Sequence, residues 1–215
     1  MPQSSQFSEN YEIKKEIILP LYYFPNLWWW HNYIQADVVY LTCSEKYIKQ
    51  TFRNRACIKN PQGRLNLTVP VAHYAQNEPY ITICCSNQVW RMHHYKSIYH
   101  NYRKSAFFEY YQESLKVFFD TLDTNLIWEI AWLSIQWMLD KIKITPKHVW
   151  IHQVERNSFY FMECMPSQQG SYQVRPYFQL FGDFIHNLSG LDALFCAGRT
   201  YFNQIILMTE NENAG

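Results

Sequence analysis

A strand–helix–strand pattern between Glu16 and Cys43 constrains the fold more than any other segment. The apolar run Glu16–Leu21 is typical of a strand, and Asp37–Cys43 is rich in β-branched residues. Between them, Leu27–Gln35 has helical length, and Asn26 has a side chain that can cap its first turn. Strands joined through a helix of about ten residues are usually parallel, so this segment predicts a β-α-β unit.

A β-hairpin is predicted directly after this unit. The runs Gln50–Lys59 and Arg64–Val71 favour strands, and the turn sequence Asn60-Pro-Gln-Gly63 separates them. A further strand is predicted over Tyr80–Cys84, which contains several β-branched residues.

The pattern becomes helical after residue 89. The predicted helices are Trp90–Arg103, Ala106–Leu122 and a third, which Asp123 or Thr124 can cap and which runs to about Leu139. Ser105 precedes the second helix and can cap it.

The last third of the chain is less regular. Residues 144–174 lack a clear period and are predicted to form short strands and loops, whereas Pro176–Leu180 is strand-like. Ser189 is predicted to start a helix that ends near Gly198, and Asp192 gives that start the spacing of a capping box.

Together these elements predict an α/β fold. We expect a single domain over residues 16–208, with an N-terminal β-α-β unit, a β-hairpin and a helical segment in the second half. Residues 1–15 are expected to form a loose leader, and residues 209–215 a frayed tail.

Charge and hydropathy narrow the possible partners. The net charge of the 215-residue chain is +1, which favours neither nucleic acid nor an acidic membrane. No run reaches the roughly 18 apolar residues that span a bilayer, and the N-terminus lacks the pattern of a signal peptide. We therefore expect a cytoplasmic protein without a membrane span.

The cysteine and glycine content does not indicate a cofactor. The six cysteines include no C-x-x-C pair, so a zinc site is not supported, and we expect reduced thiols that are mostly buried. Only six glycines are present, and none forms a phosphate-binding loop. The cofactor is left unknown, and no metal is expected.

Charged and amide residues crowd among aromatic residues in four stretches. Burying such groups without partners costs roughly 1–3 kcal/mol each, so they either satisfy one another or face a ligand. The stretches are 20–25, 50–55, 94–105 and 184–195. In the first, the loop Tyr22–Asn26 is predicted to lie at the carboxyl end of a parallel sheet, where such folds bind ligands, which makes Tyr23 a candidate substrate contact.

Arg53 and Arg55 are candidate anion-binding residues. Two residues apart on one strand, they would share a face and present a planar donor surface to a phosphate or carboxylate. Salt bridges to acidic residues elsewhere in the fold are the alternative. Asn54 between them could hold a local turn or bond a ligand hydroxyl.

The predicted helix from Trp90 carries two polar stripes. Lys96, His100 and Arg103 form a basic stripe, and His94, Ile98 and Tyr102 form another on a different side, so one stripe is expected to face inward. His94 could act as a general base oriented by Tyr102, or lie in the core bonded to a carbonyl.

The start of the last predicted helix offers further candidates. Free N–H groups at a helix start attract anions, and Asn187 just ahead of it is placed to contact a ligand. Ser189 lacks the G-x-S-x-G surroundings of a nucleophile, so we interpret it as a cap.

Four motifs in order resemble the WbqC-like family of bacterial proteins. They are Q-T-F-R-N-R-x-x-I, P-x-G-x-x-x-L-T-V-P-V, H-x-K-S-I-x-x-N-Y-R-K-S-x-F-F and F-I-x-N-L-S-x-L-D-A-L-F. The resemblance extends from about residue 20 to residue 198, and the composition is similar to the branch found in Bacteroidetes-type bacteria. By position, the motifs contain seven of the candidate residues: Arg53, Asn54, Arg55, His94, Lys96, Asn187 and Asp192.

The resemblance implies a function in O-antigen-type surface-polysaccharide metabolism. The leading hypothesis is a transferase that acts on an activated sugar, or transfers an amino or acyl group to one. In this hypothesis His94 and Asp192 are catalytic. The substrate is bound by Arg53, Asn54, Arg55, Lys96, Asn187 and Tyr23. The alternative is a non-enzymatic protein that binds a nucleotide-sugar or a partner during envelope assembly.

Overall fold

The computed structural model describes residues 15–151, 160–161, 166–168 and 174–205. The expected tail over 209–215 and all but the last residue of the expected leader lie outside these ranges, as does much of the irregular stretch after residue 151.

A parallel sheet forms the base of the molecule. Its strands are β1 Glu16–Pro20, β2 Val38–Thr42, β5 His148–Trp150 and β6 Tyr160–Phe161. They lie in the order β5-β2-β1-β6, and every neighbouring pair is parallel. Helix α1, Leu27–Gln35, connects β1 to β2. The predicted β-α-β unit and the α/β class are therefore confirmed.

The predicted cap of α1 is also confirmed. Oδ1 of Asn26 accepts a hydrogen bond from the Trp29 backbone N–H over 3.0 Å. Trp29 and Trp30 are fully buried, and the ring of Trp29 stacks on that of Tyr33 at 5.0 Å. Two of the three consecutive tryptophans thus anchor α1 in the core.

The hairpin consists of β3, Arg55–Asn60, and β4, Gly63–Thr68. The pairing is antiparallel, and Gly63 takes a φ of +117°, which side chains rarely adopt. The prediction that strand structure begins near Gln50 is wrong, because Thr51–Asn54 form a turn ahead of β3. Arg53 therefore does not share a strand face with Arg55.

Four further helices have both ends within the described residues: α2 Trp90–Tyr102, α3 Phe108–Thr121, α4 Ile127–Ile142 and α5 Gly190–Ala197. Residues 200–205 are helical as well. The expected cap of α3 is wrong: the hydroxyl of Ser105 donates to the Tyr102 carbonyl at the end of α2 instead. The helix pattern is otherwise recovered within a few residues at each end.

Two predicted strands do not form. Tyr80–Thr82 is a 3₁₀-helix, in part because the Tyr80 hydroxyl hydrogen bonds the carbonyls of Leu21 and Arg53 and holds the segment against the sheet. Pro176–Leu180 has no regular structure. β propensity alone does not make a strand where no neighbouring strand is available for pairing.

Five of the six cysteines lie among the described residues. Cys43, Cys57, Cys84, Cys85 and Cys196 are free thiols. No helix in the described ranges has both the length and the apolar character needed to cross a bilayer.

Candidate functional site

The strand order marks one edge of the sheet as the place for a site. Strands β2 and β6 lie on opposite sides of β1, so the order of the strands reverses between β1 and β6. Open α/β sheets bind ligands in the crevice at the carboxyl ends of the strands where such a reversal occurs. The loops after Pro20 and Thr42 leave the sheet at this edge.

A cavity of about 750 Å³ lies on this side of the molecule and is named here the carboxyl-edge cavity. Its walls come from the loop after β2, the turn before β3 and the loop after β4. The lining residues are Glu45, Lys46, Tyr47, Ile48, Lys49, Arg53, Tyr74, Ala75, Gln76 and Asn77.

Arg53 and Glu45 form an ion pair in this wall. Nη2 and Nε of Arg53 lie 3.2 and 3.3 Å from Oε1 of Glu45. The Arg53 side chain is fully buried and that of Glu45 is 14% exposed. Nη1 of Arg53 also donates to the Thr51 hydroxyl. A buried guanidinium held in this way is a fixed cation at the cavity wall.

The turn that carries Arg53 is fastened to the loop after β1. The Tyr23 backbone N–H donates to the Phe52 carbonyl over 3.0 Å, and the rings of Tyr22 and Phe52 lie 5.5 Å apart. The hydroxyl of Tyr80 bonds the Arg53 carbonyl, and the Arg53 guanidinium lies over its ring. These contacts place the arginine at the carboxyl ends of β1 and β2.

Buried donors without a hydrogen-bond partner among the described residues lie at or near the cavity. Nε of Arg55 and the hydroxyl of Tyr74 are such groups. An unsatisfied buried donor costs about 1–3 kcal/mol, which a bound acceptor could recover. Both groups can donate a hydrogen bond, so the acceptor they fit is an oxygen-rich group.

Tyr47 links these groups electrostatically. Burial is the main cause that raises the pKa of Tyr47 to about 12, while the nearby charges of Arg53 and Arg55 lower it. Its ring meets that of Tyr74 edge-on at 5.2 Å, and Lys49 lies over the Tyr74 ring. Both arginines therefore act on one hydroxyl, which stays protonated at neutral pH and can donate.

The balance of charge in the cavity wall is positive. The wall contains three cationic side chains, those of Lys46, Lys49 and Arg53, and one carboxylate, that of Glu45. With a neutral Tyr47, this wall suits a phosphate or a carboxylate better than a cation.

Asn54 has a structural role. Its Nδ2 donates to the Val69 carbonyl over 2.8 Å, and the Val69 N–H donates back to the Asn54 carbonyl. These bonds join the turn before β3 to the end of the hairpin, and Asn54 is absent from the cavity wall.

His94 and Tyr23 form a buried pair. The Tyr23 hydroxyl lies 3.0 Å from His94 Nδ1, and the imidazole also bonds the Thr68 carbonyl. Burial lowers the pKa of His94 to about 4, so the ring is neutral at physiological pH. The prediction of an inward-facing His94 stripe on α2 is confirmed, since His94, Ile98 and Tyr102 are all buried. The phenol that touches His94 is Tyr23, however, and not Tyr102.

Lys96 and Asn187 lie outside the cavity wall. Lys96 is exposed on the opposite stripe of α2. Asn187 is fully buried, and its Oδ1 accepts from the Trp28 N–H, so it acts as a second cap for α1.

The polar groups at the start of α5 form hydrogen bonds within the protein. The Ser189 hydroxyl accepts from the Leu191 N–H and donates to the Phe24 carbonyl. The Gly190 N–H donates to the Pro25 carbonyl. Ser189 is therefore the N-cap that the sequence predicts, and its hydroxyl is fully buried.

Asp192 does not complete a capping box. Its two carboxylate oxygens accept from the hydroxyls of Tyr102 and Tyr177, each over 2.6 Å, and the Ser189 N–H donates to Cys57 instead. Burial raises the pKa of Asp192, and the two phenols lower it in part. The carboxylate ties α5 to α2, and no direct bond connects it to His94.

The structure thus brings some predicted residues together and separates others. Arg53 lines the carboxyl-edge cavity, the charge of Arg55 reaches it, and the Tyr23–His94 pair lies behind the turn of Arg53. Asn187 and Asp192 belong to separate buried networks. Within the described ranges, no group of three or more metal-ligating side chains is present.

Several lining residues carry no signal that sequence reasoning recognised. Glu45, Tyr47 and Tyr74 lie in loops without a motif. The one available clue was position, because Glu45 follows the carboxyl end of β2 by three residues.

Comparison with known proteins supports a single assignment. A model of the WbqC-like protein family matches residues 21–165, which is more than half of the 215-residue chain. That range holds the first three sequence motifs, and the fourth, around Ser189, lies beyond it. Comparison with curated proteins and with solved structures finds no significant match. From the family match we conclude that this chain belongs to the WbqC-like protein family.

Proposed function

We propose that this protein is a cytoplasmic transferase of bacterial surface-polysaccharide metabolism that binds the anionic part of an activated sugar in the carboxyl-edge cavity. The carrying observation is the buried Arg53 at the wall of a cavity with an excess of positive charge. The family takes its name from O-antigen gene clusters, and this supports the proposal that the ligand is an activated sugar.

In this proposal the arginines hold the donor. Arg53 is fixed by Glu45 and presents its charge at the wall, while Nε of Arg55 and the Tyr74 hydroxyl donate to phosphate or carboxylate oxygens. Held donors of this kind cost little reorganisation when charge develops, so catalysis would rest on positioning and electrostatics.

His94 contributes through Tyr23 in the same scheme. The imidazole is only 5% exposed, and both of its polar contacts are within the protein. The Tyr23 hydroxyl and Nδ1 of His94 are already in hydrogen-bond contact over 3.0 Å, but the pair could exchange a proton with a substrate only after the loop Tyr22–Asn26 moves. Without that movement, the pair orients the loop.

This burial favours a second candidate function, which is non-enzymatic binding of a nucleotide-sugar. His94 and Asp192 are both buried with their hydrogen bonds satisfied, so neither reaches the cavity in this conformation. A protein of this kind would use the same arginines and the same cavity without turnover.

A thermal-shift screen with nucleotide-sugars, acyl-CoAs and amino acids tests the binding. A ligand at 100 times its dissociation constant stabilises the native state by about 2.7 kcal/mol. We expect nucleotide-sugars to raise Tm, Lys49→Ala to reduce the rise, and the matched control Lys104→Ala, an exposed lysine away from this wall, to leave it unchanged.

Turnover separates the two candidates. We expect mass spectrometry to detect a transferred group after incubation of a stabilising nucleotide-sugar with candidate acceptors. Binding without any conversion would favour the non-enzymatic function, and the absence of stabilisation by every anionic ligand would contradict both.

A further inference from the structure

A second cavity lies at the other edge of the sheet and is named here the amino-edge cavity. It has a volume of about 490 Å³ and lies between the end of α4 and the start of β5. Its polar and aromatic lining residues are Trp132, Gln136, Asp140, Lys143, Thr145 and His148. None of them lines the carboxyl-edge cavity.

Trp132 forms a rigid aromatic wall. Its ring meets His148 at 4.9 Å and Trp150 at 5.0 Å, nearly perpendicular to both. Such edge-to-face contacts hold the indole in place before a ligand arrives. The indole N–H has no hydrogen-bond partner among the described residues, so it remains a donor for a ligand.

Tyr33 anchors one ring nitrogen of His148 and leaves the other open to a ligand. The Tyr33 hydroxyl lies 2.9 Å from His148 Nδ1 and accepts from the Lys147 backbone N–H over 3.3 Å. Nε2 has no hydrogen-bond partner among the residues that the structure describes. Burial lowers the pKa of His148, so the ring is neutral at physiological pH and Nε2 can pair with a hydroxyl, which both donates and accepts.

The two charged lining residues of the amino-edge cavity, Asp140 and Lys143, offset each other. Oδ1 of Asp140 lies 2.9 Å from the Lys143 ammonium, and its Oδ2 lies 2.8 Å from that of Lys141, which does not line the cavity. An anion gains little attraction from a cation that is already paired with a carboxylate. The wall contrasts in this respect with the positive carboxyl-edge cavity.

From these features we propose that the amino-edge cavity binds an uncharged saccharide. A sugar ring has an apolar C–H face that fits a fixed indole, and hydroxyls that both donate and accept. The Trp132 N–H donates, and Nε2 of His148 pairs with a sugar hydroxyl in either tautomer. The acceptors are the Asp140 carboxylate and the Gln136 and Thr145 side-chain oxygens. The inference stands independently of the proposed transferase function.

Binding of uncharged methyl glycosides tests the proposal directly. We would use methyl glycosides of glucose, galactose, rhamnose and N-acetylglucosamine, with saturation-transfer NMR and calorimetry on the full chain. At least one glycoside is expected to bind. Trp132→Phe should weaken it about tenfold, which corresponds to about 1.4 kcal/mol, whereas the matched control Trp137→Phe on another face of α4 should not.

A second variant guards against loss of folding. Gln136 is exposed on α4, so Gln136→Ala leaves the core intact. It should weaken the glycoside about threefold to tenfold, as expected for a lost hydrogen bond. Lys49→Ala, which removes a lining residue of the other cavity, should leave glycoside affinity unchanged.

Four results would overturn the proposal. They are no saturation transfer to any glycoside of the panel, equal effects of Trp132→Phe and Trp137→Phe, preferential binding of a nucleoside such as uridine at Trp132, and loss of glycoside binding in Lys49→Ala alone. The last would assign the sugar to the carboxyl-edge cavity and would leave the transferase function supported.

Discussion

The phenol of Tyr102 donates a hydrogen bond to Oδ1 of Asp192 over 2.6 Å, and this bond joins the end of α2 to the start of α5. The Lys59 backbone N–H donates to the same phenol, so β3 is tied to the pair as well. Tyr177 donates to the other carboxylate oxygen. Asp192 therefore joins α5 to α2 and to the segment of Tyr177, and through the Tyr102 phenol to β3.

We therefore predict that Asp192→Ala destabilises the fold strongly. Two buried phenols would lose their acceptor, at a cost of about 2–5 kcal/mol. Asp192→Asn keeps one acceptor and should cost less. Urea unfolding of the two variants measures the difference. Loss of activity in Asp192→Ala without a change in the free energy of unfolding would indicate a catalytic carboxylate instead.

Asp192 also predicts a pH dependence of stability. Burial raises its pKa in the folded state above the ordinary value of 3.8. The folded state then binds the proton more tightly than the unfolded state, so the contribution of Asp192 to stability is full below pH 3.8 and is lost as the pH rises through the raised pKa. The stability difference between wild type and Asp192→Asn should shrink over that rise. A difference that grows with pH would contradict this assignment.

His94 predicts the opposite dependence. Its pKa is lowered by burial from 6.5 to about 4, so the unfolded state binds the proton first. The contribution of His94 to the free energy of unfolding is fully present above pH 6.5 and is lost as the pH falls toward 4. Between pH 7 and pH 5 the loss should be about 2 kcal/mol.

The measurement is urea unfolding at both pH values in wild type and His94→Gln. The variant should lack this part of the loss. An equal loss in both proteins would show that other groups cause it and that His94 titrates normally.

Arg53 and Glu45 should behave as a pair. Arg53→Met alone leaves a poorly solvated carboxylate and is expected to cost about 3–5 kcal/mol, because the partner of a buried charge is removed. Arg53→Met together with Glu45→Gln should recover part of that cost. Anionic ligands should fail to bind either variant.

A double-mutant cycle by chemical unfolding gives the coupling between the two residues. Additive effects would mean that the ion pair does not contribute to stability. Retained ligand binding in the double variant would remove Arg53 from the proposed site.

The sequence predicts the parts of this fold that depend on local signals. The β-α-β unit follows from strand composition and from the Asn26 cap, and both depend on neighbouring residues only. The inward stripe of His94 on α2 follows from helical spacing. The cap of α3 fails because the Ser105 hydroxyl bonds the Tyr102 carbonyl at the end of the preceding helix instead. The strand at Tyr80 fails because a long-range bond from its hydroxyl to the Leu21 carbonyl positions that segment.

The candidate site is harder to predict from the sequence than the fold is. The ion pair of Arg53 with Glu45 joins a turn to a loop eight residues earlier, and Tyr74 comes from a third loop. No periodicity relates these positions. The hydrogen bond on Nδ1 of His148 likewise comes from a phenol more than a hundred residues away. Such groupings are set by the packing of loops at a sheet edge.

Gly190 offers a packing test. A Cβ at this position would lie 2.6 Å from Nε1 of Trp30 and 3.0 Å from Cε of Met138. Trp30 is fully buried and cannot move freely. Gly190→Ala should therefore cost about 1–3 kcal/mol, and thermal unfolding will measure it. Trp30→Phe in the same chain should reduce the added cost of the alanine, and an equal cost in both backgrounds would locate the strain elsewhere.

Ser189 separates a helix cap from a nucleophile. Its hydroxyl accepts from Leu191 N–H and donates to the Phe24 carbonyl, so only a group that does both can replace it. Ser189→Ala should cost about 1–2 kcal/mol as a lost cap. Ser189→Asp should cost more, because a buried carboxylate cannot donate to Phe24 and would face its carbonyl oxygen. This order, measured by urea unfolding, is the reverse of what an exposed N-cap would give. A covalent nucleophile would instead lose activity in both variants with little change in stability, and labelling of native Ser189 by a serine-directed reagent would establish it.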